Sequence, residues 1–155
     1  MQAGHEKTMT ALLPALAGAN MIYGLGMVDM GMTLDFGQIV ADNEFALMIK
    51  RILQGIAVGD EELAVDLIKS IGAGGNFLTE EHTMKYMRRE QSYPKLIDRN
   101  VYAHWKDAGA TDYTYRVNEE AKRILETHQP EPLPDDTAKM LREIIIEAEK
   151  REGVR

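Results

Sequence analysis

Glu44 is the side chain whose position in the sequence most clearly suggests chemistry. It lies in a long apolar helix predicted over residues 35–55, and at about 100° per residue it falls between Val40 and Met48. A carboxylate in apolar surroundings must be paired, protonated or facing a ligand, because an isolated buried charge is costly. A salt bridge to Arg51 is the structural alternative. The pattern therefore marks Glu44 as a candidate polar group of a ligand site.

A glycine-rich stretch at residues 71–83, I-G-A-G-G-N-F-L-T-E-E-H-T, is the second candidate. Gly72, Gly74 and Gly75 permit positive φ and close approach of a ligand to the backbone. One interpretation is a short strand at the Phe-Leu pair that delivers polar side chains, including His82, to a pocket mouth. The alternative is a glycine-rich connection between two helices, with an exposed histidine at the start of the second. The stretch matches neither a P-loop nor the full G-x-G-x-x-G motif.

Other familiar catalytic and metal-binding patterns are missing from the sequence. It contains no Ser-His-Asp order, H-E-x-x-H motif or EF-hand loop. The 155 residues include no cysteine, which excludes a thiolate metal site and suits a reducing cytoplasm, where we expect the protein. The net charge is −7 and no cluster of Lys and Arg stands out. We therefore expect no metal site and no nucleic acid partner.

Helices and two short strands are expected to position the candidate groups. Residues 20–23, which begin with Asn20, are predicted to form a strand buried on both sides, as in parallel sheets. Residues 11–28 lack charge but contain Pro14 and several glycines, so we expect two buried elements there and no membrane span. Three helices are predicted before residue 83, over residues 6–17, 35–55 and 60–71.

Beyond Thr83 the pattern predicts helices only. The last of them begins with Pro134 at its first position and carries an acidic first turn. Its apolar stripe is expected to be buried, and Ile146 lies off that stripe. The helices are predicted over residues 84–89 and 98–108, from Asp112 or Thr114 to Pro130, and from Pro134 onward.

A series of spaced motifs runs through the chain. They are H-E-K-T-M-T-A-L-L-P-A-L-A-G-A-N-M-I-Y-G-L-G-M-V-D-M-G-M-T-L-D at residues 5–35, A-D-N-E at 41–44, G-A-G-G-N-F-L at 72–78, E-H-T at 81–83, and P-K-L-I-D-R at 94–99 followed by Trp105. Together they resemble the C-terminal part of the trimethylamine methyltransferase family, and the similarity extends to about Leu125. Members of that family move a methyl group from a methylated amine to the cobalt of a separate corrinoid protein. Relatives act on betaine-type quaternary amines.

The resemblance implies a fold and a division of the chain. The family fold is a TIM barrel with helical additions, so the expected class is α-rich α/β. Residues 1–90 would supply the last βα units of the barrel, and residues 91–155 would form a C-terminal helical extension. A (β/α)₈ barrel needs about 250 residues, so the barrel would be incomplete in this chain. The family's trimethylamine members carry pyrrolysine, encoded by an in-frame amber codon, upstream of the part resembled here. If Met1 is an internal methionine that follows such a codon, gene calling would yield a partial sequence of this kind. Members without pyrrolysine also exist, so the resemblance does not assign trimethylamine as the substrate.

The resemblance also implies roles for the candidate residues. Glu44 and His82, with Asn20 behind them, would bind the methylated amine substrate at the ends of the barrel strands. The three glycines at positions 72, 74 and 75 would let a corrinoid or the substrate approach closely. The corrinoid is carried by a partner protein, so this chain alone is expected to bind no cofactor. Because the methyl acceptor is a cobalt nucleophile on that partner, the chain itself needs no catalytic nucleophile.

Two alternatives to an active methyltransferase part stay open. One is a helical binding module that docks a partner through the face containing Trp105. The other is an inactive piece of a barrel whose apolar surface is covered by self-association, since residues 11–28 and 36–53 are apolar on many sides. We therefore expect a homo-oligomer of the isolated chain.

Overall fold

The computed structural model describes residues 2–154, which are mostly helical. They form two compact units, of which the first ends at Arg123 and the second begins at Ile124. Helix α7 crosses that boundary and α8 lies in the second unit. The elements are α1 (Gln2–Leu16), β1 (Met27–Val28), β2 (Thr33–Leu34), α2 (Phe36–Leu53), α3 (Asp60–Leu63), α4 (Val65–Ile71), α5 (Glu81–Glu90), α6 (Tyr102–Asp107), α7 (Tyr113–Thr127) and α8 (Asp135–Arg151), with a short 3-10 turn at Asp29–Gly31.

The first helix is confirmed, but the strand predicted after it is wrong. Helix α1 ends before Gly18, which has a φ of +84° and cannot continue the helix. Residues 20–23 are irregular, and the Met21 and Tyr23 side chains are 82% and 79% exposed. A parallel strand needs a neighbouring strand to satisfy its N–H and C=O groups, and residues 2–154 provide none here. The apolar run alone therefore does not make a strand.

The sheet of the described chain is a two-stranded antiparallel hairpin. Met27 of β1 pairs with Leu34 of β2, and Val28 pairs with Thr33. Gly26 sits at its base, where a Cβ atom would come within 2.2 Å of the Ile39 side chain. Only glycine allows the hairpin to lie this close to α2.

Helix α2 matches the helix predicted over residues 35–55. Asp35 caps its N-terminus, because the Asp35 carboxylate accepts a hydrogen bond of 2.5 Å from the Gln38 backbone N–H. It packs against α1, and Ala41 and Ile49 of α2 are buried together with Ala15 of α1. The two helices thus contribute three of the five apolar side chains that are buried in the described part of the first unit.

The helix predicted over residues 60–71 is divided in two. Ala64 has a φ of +48°, which ends α3 and separates it from α4. The strand predicted at the Phe-Leu pair is also wrong, and the alternative of a glycine-rich connection between helices is correct. The Asn76 carboxamide oxygen accepts a hydrogen bond of 2.9 Å from the Leu78 N–H, which makes a local turn in place of an extended strand.

The later helices are confirmed with shifted ends. Helix α6 begins at Tyr102, four residues after the predicted start, because the Asp98 carboxylate accepts a hydrogen bond of 2.7 Å from the Asn100 N–H and forms a turn. The Asp112 carboxylate caps α7 by accepting a hydrogen bond of 2.7 Å from the Tyr115 N–H. Pro134 is the residue that precedes the first turn of α8.

The helix-rich character of the predicted class is confirmed, and the two predicted parallel strands are not present in residues 2–154. The apolar stripe of α8 is exposed, which corrects the prediction of burial: Leu141 and Ile145 are 47% and 57% exposed. Within residues 2–154, none of the helices combines the length and the apolar character that crossing a bilayer requires.

Candidate functional site

Asp42 is a buried carboxylate that joins three parts of the first unit. One oxygen, Oδ2, accepts hydrogen bonds from the Lys7 ammonium of α1 at 2.6 Å and from the Gly26 backbone N–H at 2.8 Å. The other, Oδ1, accepts a hydrogen bond of 2.7 Å from the Gln38 side chain, one turn earlier in α2. Asp42 is only 7% exposed, so these donors replace the water that the carboxylate loses. They also fix α1 and the β1 hairpin to α2.

A cleft of about 370 Å³ opens beside Asp42, between α1, α2 and the irregular segment that joins α1 to β1. We call it the α1/α2 cleft. Its walls are mostly apolar, and its charged side chains are Lys7, Asp42 and Lys50. The lining residues are Lys7, Thr10, Ala11, Ala15, Ala19, Asn20, Ile22, Tyr23, Gly24, Leu25, Asp42, Phe45, Ala46, Ile49, Lys50 and Leu53. Asn20, a predicted substrate-binding residue, therefore lies in a cleft, but Glu44 does not line it.

Glu44 is buried on a different face of α2, as its spacing predicted. It is 5% exposed, and its carboxylate accepts hydrogen bonds from the backbone N–H groups of Lys95, Leu96 and Ile97, at 2.9 Å for Leu96 and 3.2 Å for Ile97. The Tyr113 hydroxyl donates to it at 3.3 Å. We call this arrangement the Glu44 clamp. It fixes the P-K-L-I-D-R segment to α2.

The salt bridge between Glu44 and Arg51 is absent from the described chain. Arg51 instead forms an ion pair with the Glu90 carboxylate and donates a hydrogen bond of 2.9 Å to the Glu90 backbone oxygen. The clamp compensates the Glu44 charge with N–H and O–H dipoles, which sequence periodicity could not identify. Both oxygens of the carboxylate are occupied by donors from the chain itself.

Tyr113 shows the electrostatic effect of the Glu44 clamp. Burial, followed by the negative charge of Glu44 and the hydrogen bond to it, raises the pKa of the Tyr113 phenol well above its usual range. The phenol therefore remains a donor to the carboxylate through the neutral pH range. Its ring also lies 6.0 Å from the Phe45 ring, which faces the α1/α2 cleft.

His82 lies in the first turn of α5 and contacts α3. Its Nε2 atom is 2.9 Å from the Glu61 backbone oxygen, and its ring stacks on Tyr86 with 4.2 Å between centroids. Arg89 approaches the Tyr86 ring at 4.6 Å and bonds the Glu62 carboxylate at 2.8 Å. These contacts pack α5 against α3.

The acidic residues that contact α5 form ion pairs that are solvent-exposed or half-buried. The hydrogen bond from Lys85, followed by its positive charge, lowers the pKa of Glu61. Hydrogen bonds from Arg89 and then Tyr86 lower the pKa of Glu62. The same neighbours stabilise both charged forms, so this cluster carries no free carboxylate for a substrate.

The three predicted cofactor-binding glycines form the turn that follows α4. Gly72 and Gly74 have φ angles of +71° and +77°, and a Cβ atom at either position would meet nothing within 4 Å. A Cβ atom at Gly75 would lie 2.7 Å from the Ile71 backbone oxygen. The close approach at Gly75 is thus made by the chain itself, whereas the other two glycines leave open space.

The structure does not bring the predicted site residues together. Asn20 lines the α1/α2 cleft, Glu44 belongs to its clamp, and His82 packs on α3. Sequence analysis missed Asp42 and Lys7, although Asp42 belongs to the same A-D-N-E motif as Glu44. The sequence feature that could have identified Asp42 is a second carboxylate on an apolar helix, one turn after Gln38. No group of three or more His, Asp and Glu side chains within residues 2–154 is arranged to hold a metal ion.

A second, more polar cleft of about 400 Å³ borders α6 and the start of α7. Its aromatic side chains are Tyr102 and Trp105, with ring centroids 5.6 Å apart. The Trp105 indole N–H donates a hydrogen bond of 2.8 Å to the Thr111 backbone oxygen, and Arg116 also bonds Thr111. The lining residues are Asp98, Asn100, Tyr102, Trp105, Thr111, Asp112 and Arg116.

Comparisons with known proteins cover nearly the whole chain. The sequence model of the family described as "Trimethylamine methyltransferase (MTTB)" matches residues 1–153. The trimethylamine methyltransferase MttB of Desulfitobacterium hafniense (strain DSM 10664 / DCB-2) is 54% identical over 153 residues, which is 99% of this chain and 31% of the relative. MttB of Methanosarcina barkeri is 44% identical over 149 residues, or 96% of this chain and 30% of the relative. A glycine betaine methyltransferase of Desulfitobacterium hafniense (strain Y51) is 29% identical over 153 residues, 98% of this chain and 32% of the relative.

The chain spans about a third of the length of these relatives. The matched range includes the α1/α2 cleft, the Glu44 clamp and the glycine turn. The resemblance of the spaced motifs is thus confirmed, and the family match extends beyond the predicted limit at Leu125 to residue 153. The chain belongs to the trimethylamine methyltransferase family.

Proposed function

We propose that this chain is the C-terminal third of a methyltransferase that moves a methyl group from trimethylamine, or a related quaternary amine, to the cobalt of a corrinoid on a separate protein. The observation that carries the proposal is the 54% identity over 153 residues to a trimethylamine methyltransferase. The transfer would break an N–CH₃ bond of the protonated or quaternised amine and form a Co–CH₃ bond with an electron pair from the reduced cobalt. The demethylated amine would then leave as a neutral molecule with the electron pair of the broken bond. We place the reaction in the cytoplasm, which a chain without cysteine suits.

We further propose that the rest of the enzyme supplies the missing sheet. Residues 20–23 are exposed and irregular in this chain, and a strand from the remainder of a barrel would give them the hydrogen-bonding partner that they lack. The same addition would cover the exposed apolar side chains of Met21 and Tyr23. The TIM barrel is thus a property proposed for the assembled enzyme.

The substrate-binding roles of Glu44, His82 and Asn20 stay predictions. A methylated amine is a good leaving group only when it is quaternised or protonated, and a carboxylate with aromatic faces would hold that cation. Within this chain the Glu44 carboxylate is occupied by its clamp and Asp42 is paired with Lys7. Residues from the rest of the enzyme would therefore have to complete the cation site. The turn at Gly72 and Gly74, where space is open, is the proposed point of approach for the corrinoid.

A second candidate function is a binding module without chemistry of its own. It is favoured by the cleft at Trp105, where Tyr102 is 72% exposed and the polar side chains are held by hydrogen bonds within the chain. Such a rigid aromatic face is typical of protein docking surfaces. This function would not require the remainder of a barrel.

A chimera distinguishes the two functions. The chain is joined to the remaining part of the Desulfitobacterium hafniense trimethylamine methyltransferase, in place of the matching segment of that relative. We expect the chimera to methylate a reduced corrinoid protein in the presence of trimethylamine, as measured by the cobalt absorbance spectrum. The unmodified relative is the positive control. The 155-residue chain alone should show no transfer above background, because its candidate groups do not share one pocket.

A folded chimera that leaves the corrinoid unmethylated with trimethylamine and with glycine betaine would contradict the proposed function. Its folded state is checked by circular dichroism and by its thermal transition. Methylation by the isolated chain would contradict the proposal that the rest of the enzyme is required.

A further inference from the structure

Helix α8 carries an apolar stripe that is open to solvent. Leu141, Ile144, Ile145 and Ala148 recur at the spacing of three and four residues that places side chains on one face of a helix. The first three are 47%, 56% and 57% exposed, and none of the α8 residues is buried in the part of the chain that the structure describes. We call this face the α8 stripe. Adjacent exposed apolar side chains of this kind are typical of a surface that binds another molecule.

The charged side chains of α8 indicate what kind of partner the stripe fits. Acidic and basic side chains flank the stripe, among them Arg142, Glu147 and Arg151. Helix α8 as a whole carries five acidic and four basic residues, so it lacks the excess of Lys and Arg that draws an amphipathic helix to a membrane surface. A narrow apolar stripe with charges of both signs at its edges fits another amphipathic helix.

The charges at the two ends of α8 select the direction of that helix. The first turn contains Asp135 and Asp136, and the last turn contains Lys150 and Arg151. A second copy of α8 that lies antiparallel would place the acidic turn of each copy beside the basic turn of the other. The two helix dipoles would then be opposed, which is the favourable arrangement. A parallel copy would instead bring like charges together at both ends.

The order of side chains along the stripe also suits an antiparallel copy. The stripe is centred between Ile144 and Ile145, and Leu141 and Ala148 lie equally far from that centre. About this centre, Leu141 of one copy faces Ala148 of the other. A large side chain opposite a small one lets two helices interdigitate. A parallel copy would place leucine against leucine and alanine against alanine, which leaves a gap at the alanine end.

We propose that the α8 stripe binds a second copy of this chain through its own α8 stripe, in the antiparallel direction. The contact has two-fold symmetry, as is usual for homodimers. It adds α8 to the surfaces, at residues 11–28 and 36–53, that the sequence suggested for self-association, and it is independent of methyl transfer. Because only a few large side chains would be buried, we expect a weak dimer with a dissociation constant on the order of 100 µM.

Cysteine cross-linking tests the direction and the register, because the sequence contains no cysteine of its own. The variants Leu141→Cys and Ala148→Cys are mixed, oxidised mildly and digested, and the linked peptides are identified by mass spectrometry. The main product should join residue 141 of one copy to residue 148 of the other. Either variant alone should form little disulfide, since identical residues would lie about 10 Å apart along the helices, farther than a disulfide spans.

Two neighbouring isoleucines provide matched variants for sedimentation over chain concentrations from about 10 µM to 1 mM. Ile145→Glu puts a carboxylate into the stripe of both copies and should weaken association at least about tenfold. Ile146→Glu is the control, because Ile146 is 41% exposed and lies on the other side of α8. It should weaken association less than about twofold. Circular dichroism and the thermal transition should show that both variants keep the fold, since both positions are exposed.

Three results with the 155-residue chain would overturn the inference. These are a monomer up to about 1 mM, disulfides mainly between identical positions, and equal weakening by Ile145→Glu and Ile146→Glu. The link between positions 141 and 148 should also form in the chimera. Its absence there would mean that the rest of the enzyme covers the α8 stripe, and would overturn the inference for the assembled enzyme. A chimera that forms the link but transfers no methyl group would refute only the proposed function.

Discussion

The acidic residues of α2 and those of α3 use their carboxylates in two different ways. Asp42 and Glu44 of α2 are buried, and their oxygens accept hydrogen bonds from backbone N–H groups of distant segments. Glu61 and Glu62 of α3 lie nearer the surface and pair with flexible side chains of α5. A buried carboxylate with fixed backbone donors cannot change partners, whereas an exposed one can exchange its partner for water. The fold of the first unit therefore depends on α2 far more than on α3.

The largest effect is expected for Glu44→Gln. The carboxamide would place an NH₂ donor against backbone N–H donors or the Tyr113 hydroxyl, so at least one buried donor loses its acceptor. We expect the free energy of unfolding to fall by about 3 kcal/mol. Urea denaturation followed by circular dichroism measures it. Glu119→Gln, at an exposed position on α7, is the matched control and should have little effect.

The same variant tests the predicted role of Glu44 in substrate binding. In the chimera, Glu44→Gln with normal specific activity and a lowered melting temperature would assign Glu44 to structure alone. Lost activity with an unchanged melting temperature would instead contradict the importance of the Glu44 clamp for the fold. A fall of less than about 1 kcal/mol in the free energy of unfolding of Glu44→Gln would also contradict the importance of the Glu44 clamp for the fold.

Asp42→Asn should have the next largest effect, with a loss of about 2 kcal/mol. The expected loss is smaller because the Gln38 carboxamide can rotate to offer its oxygen to the new NH₂ group, and Lys7 is exposed enough to reach water. The Gly26 amide proton, which donates to Asp42, should exchange faster with solvent in NMR measurements. If Asp42→Asn lowers the free energy of unfolding as much as Glu44→Gln does, the proposed order of the two effects is wrong.

Helix periodicity could predict the burial of Glu44 but not its partners. Its N–H donors are 51 to 53 residues away in sequence, in a segment that has no regular structure. The strand predicted at residues 20–23 failed for a related reason, because a strand is defined by a neighbour that the local sequence does not contain. Local signals were more reliable. The caps at Asp35 and Asp112 arise from side chains within three residues of the N–H groups that they bind.

Tyr113→Phe is expected to be milder, with a loss of about 1 kcal/mol at neutral pH, because it removes one long hydrogen bond to Glu44 and keeps the ring. It should also change the alkaline limb of the stability curve. The pKa of Tyr113 is raised in the folded state by burial and by Glu44, so the folded protein favours the protonated phenol. That contribution is complete below the unfolded pKa of about 10 and is lost as the pH rises through the folded value.

The role of Tyr113 is therefore tested by the difference in the free energy of unfolding between two proteins. The free energy of unfolding of the unsubstituted chain minus that of Tyr113→Phe should be constant from pH 7 to about 9.5 and should shrink at higher pH. Titration of lysines affects both proteins equally and cancels. A difference that grows with pH would mean that the phenol is not a donor to Glu44.

The smallest effect is expected for Glu61→Gln, which removes the exposed ion pair with Lys85. Both side chains are about half exposed, so water and salt replace the lost contact. The melting temperature at pH 7 should therefore stay within experimental error.

The hydrogen bond and charge of Lys85 lower the pKa of Glu61. Any stabilisation by this ion pair therefore exists above the unfolded pKa of 4.5 and is lost as the pH falls through the lower, folded value. Melting curves of the variant and the unsubstituted chain at pH 7 and pH 3, each at low and high salt, test this sign. A large loss at pH 7 that survives high salt would place Glu61 with Asp42 and Glu44 and would remove the distinction between α2 and α3.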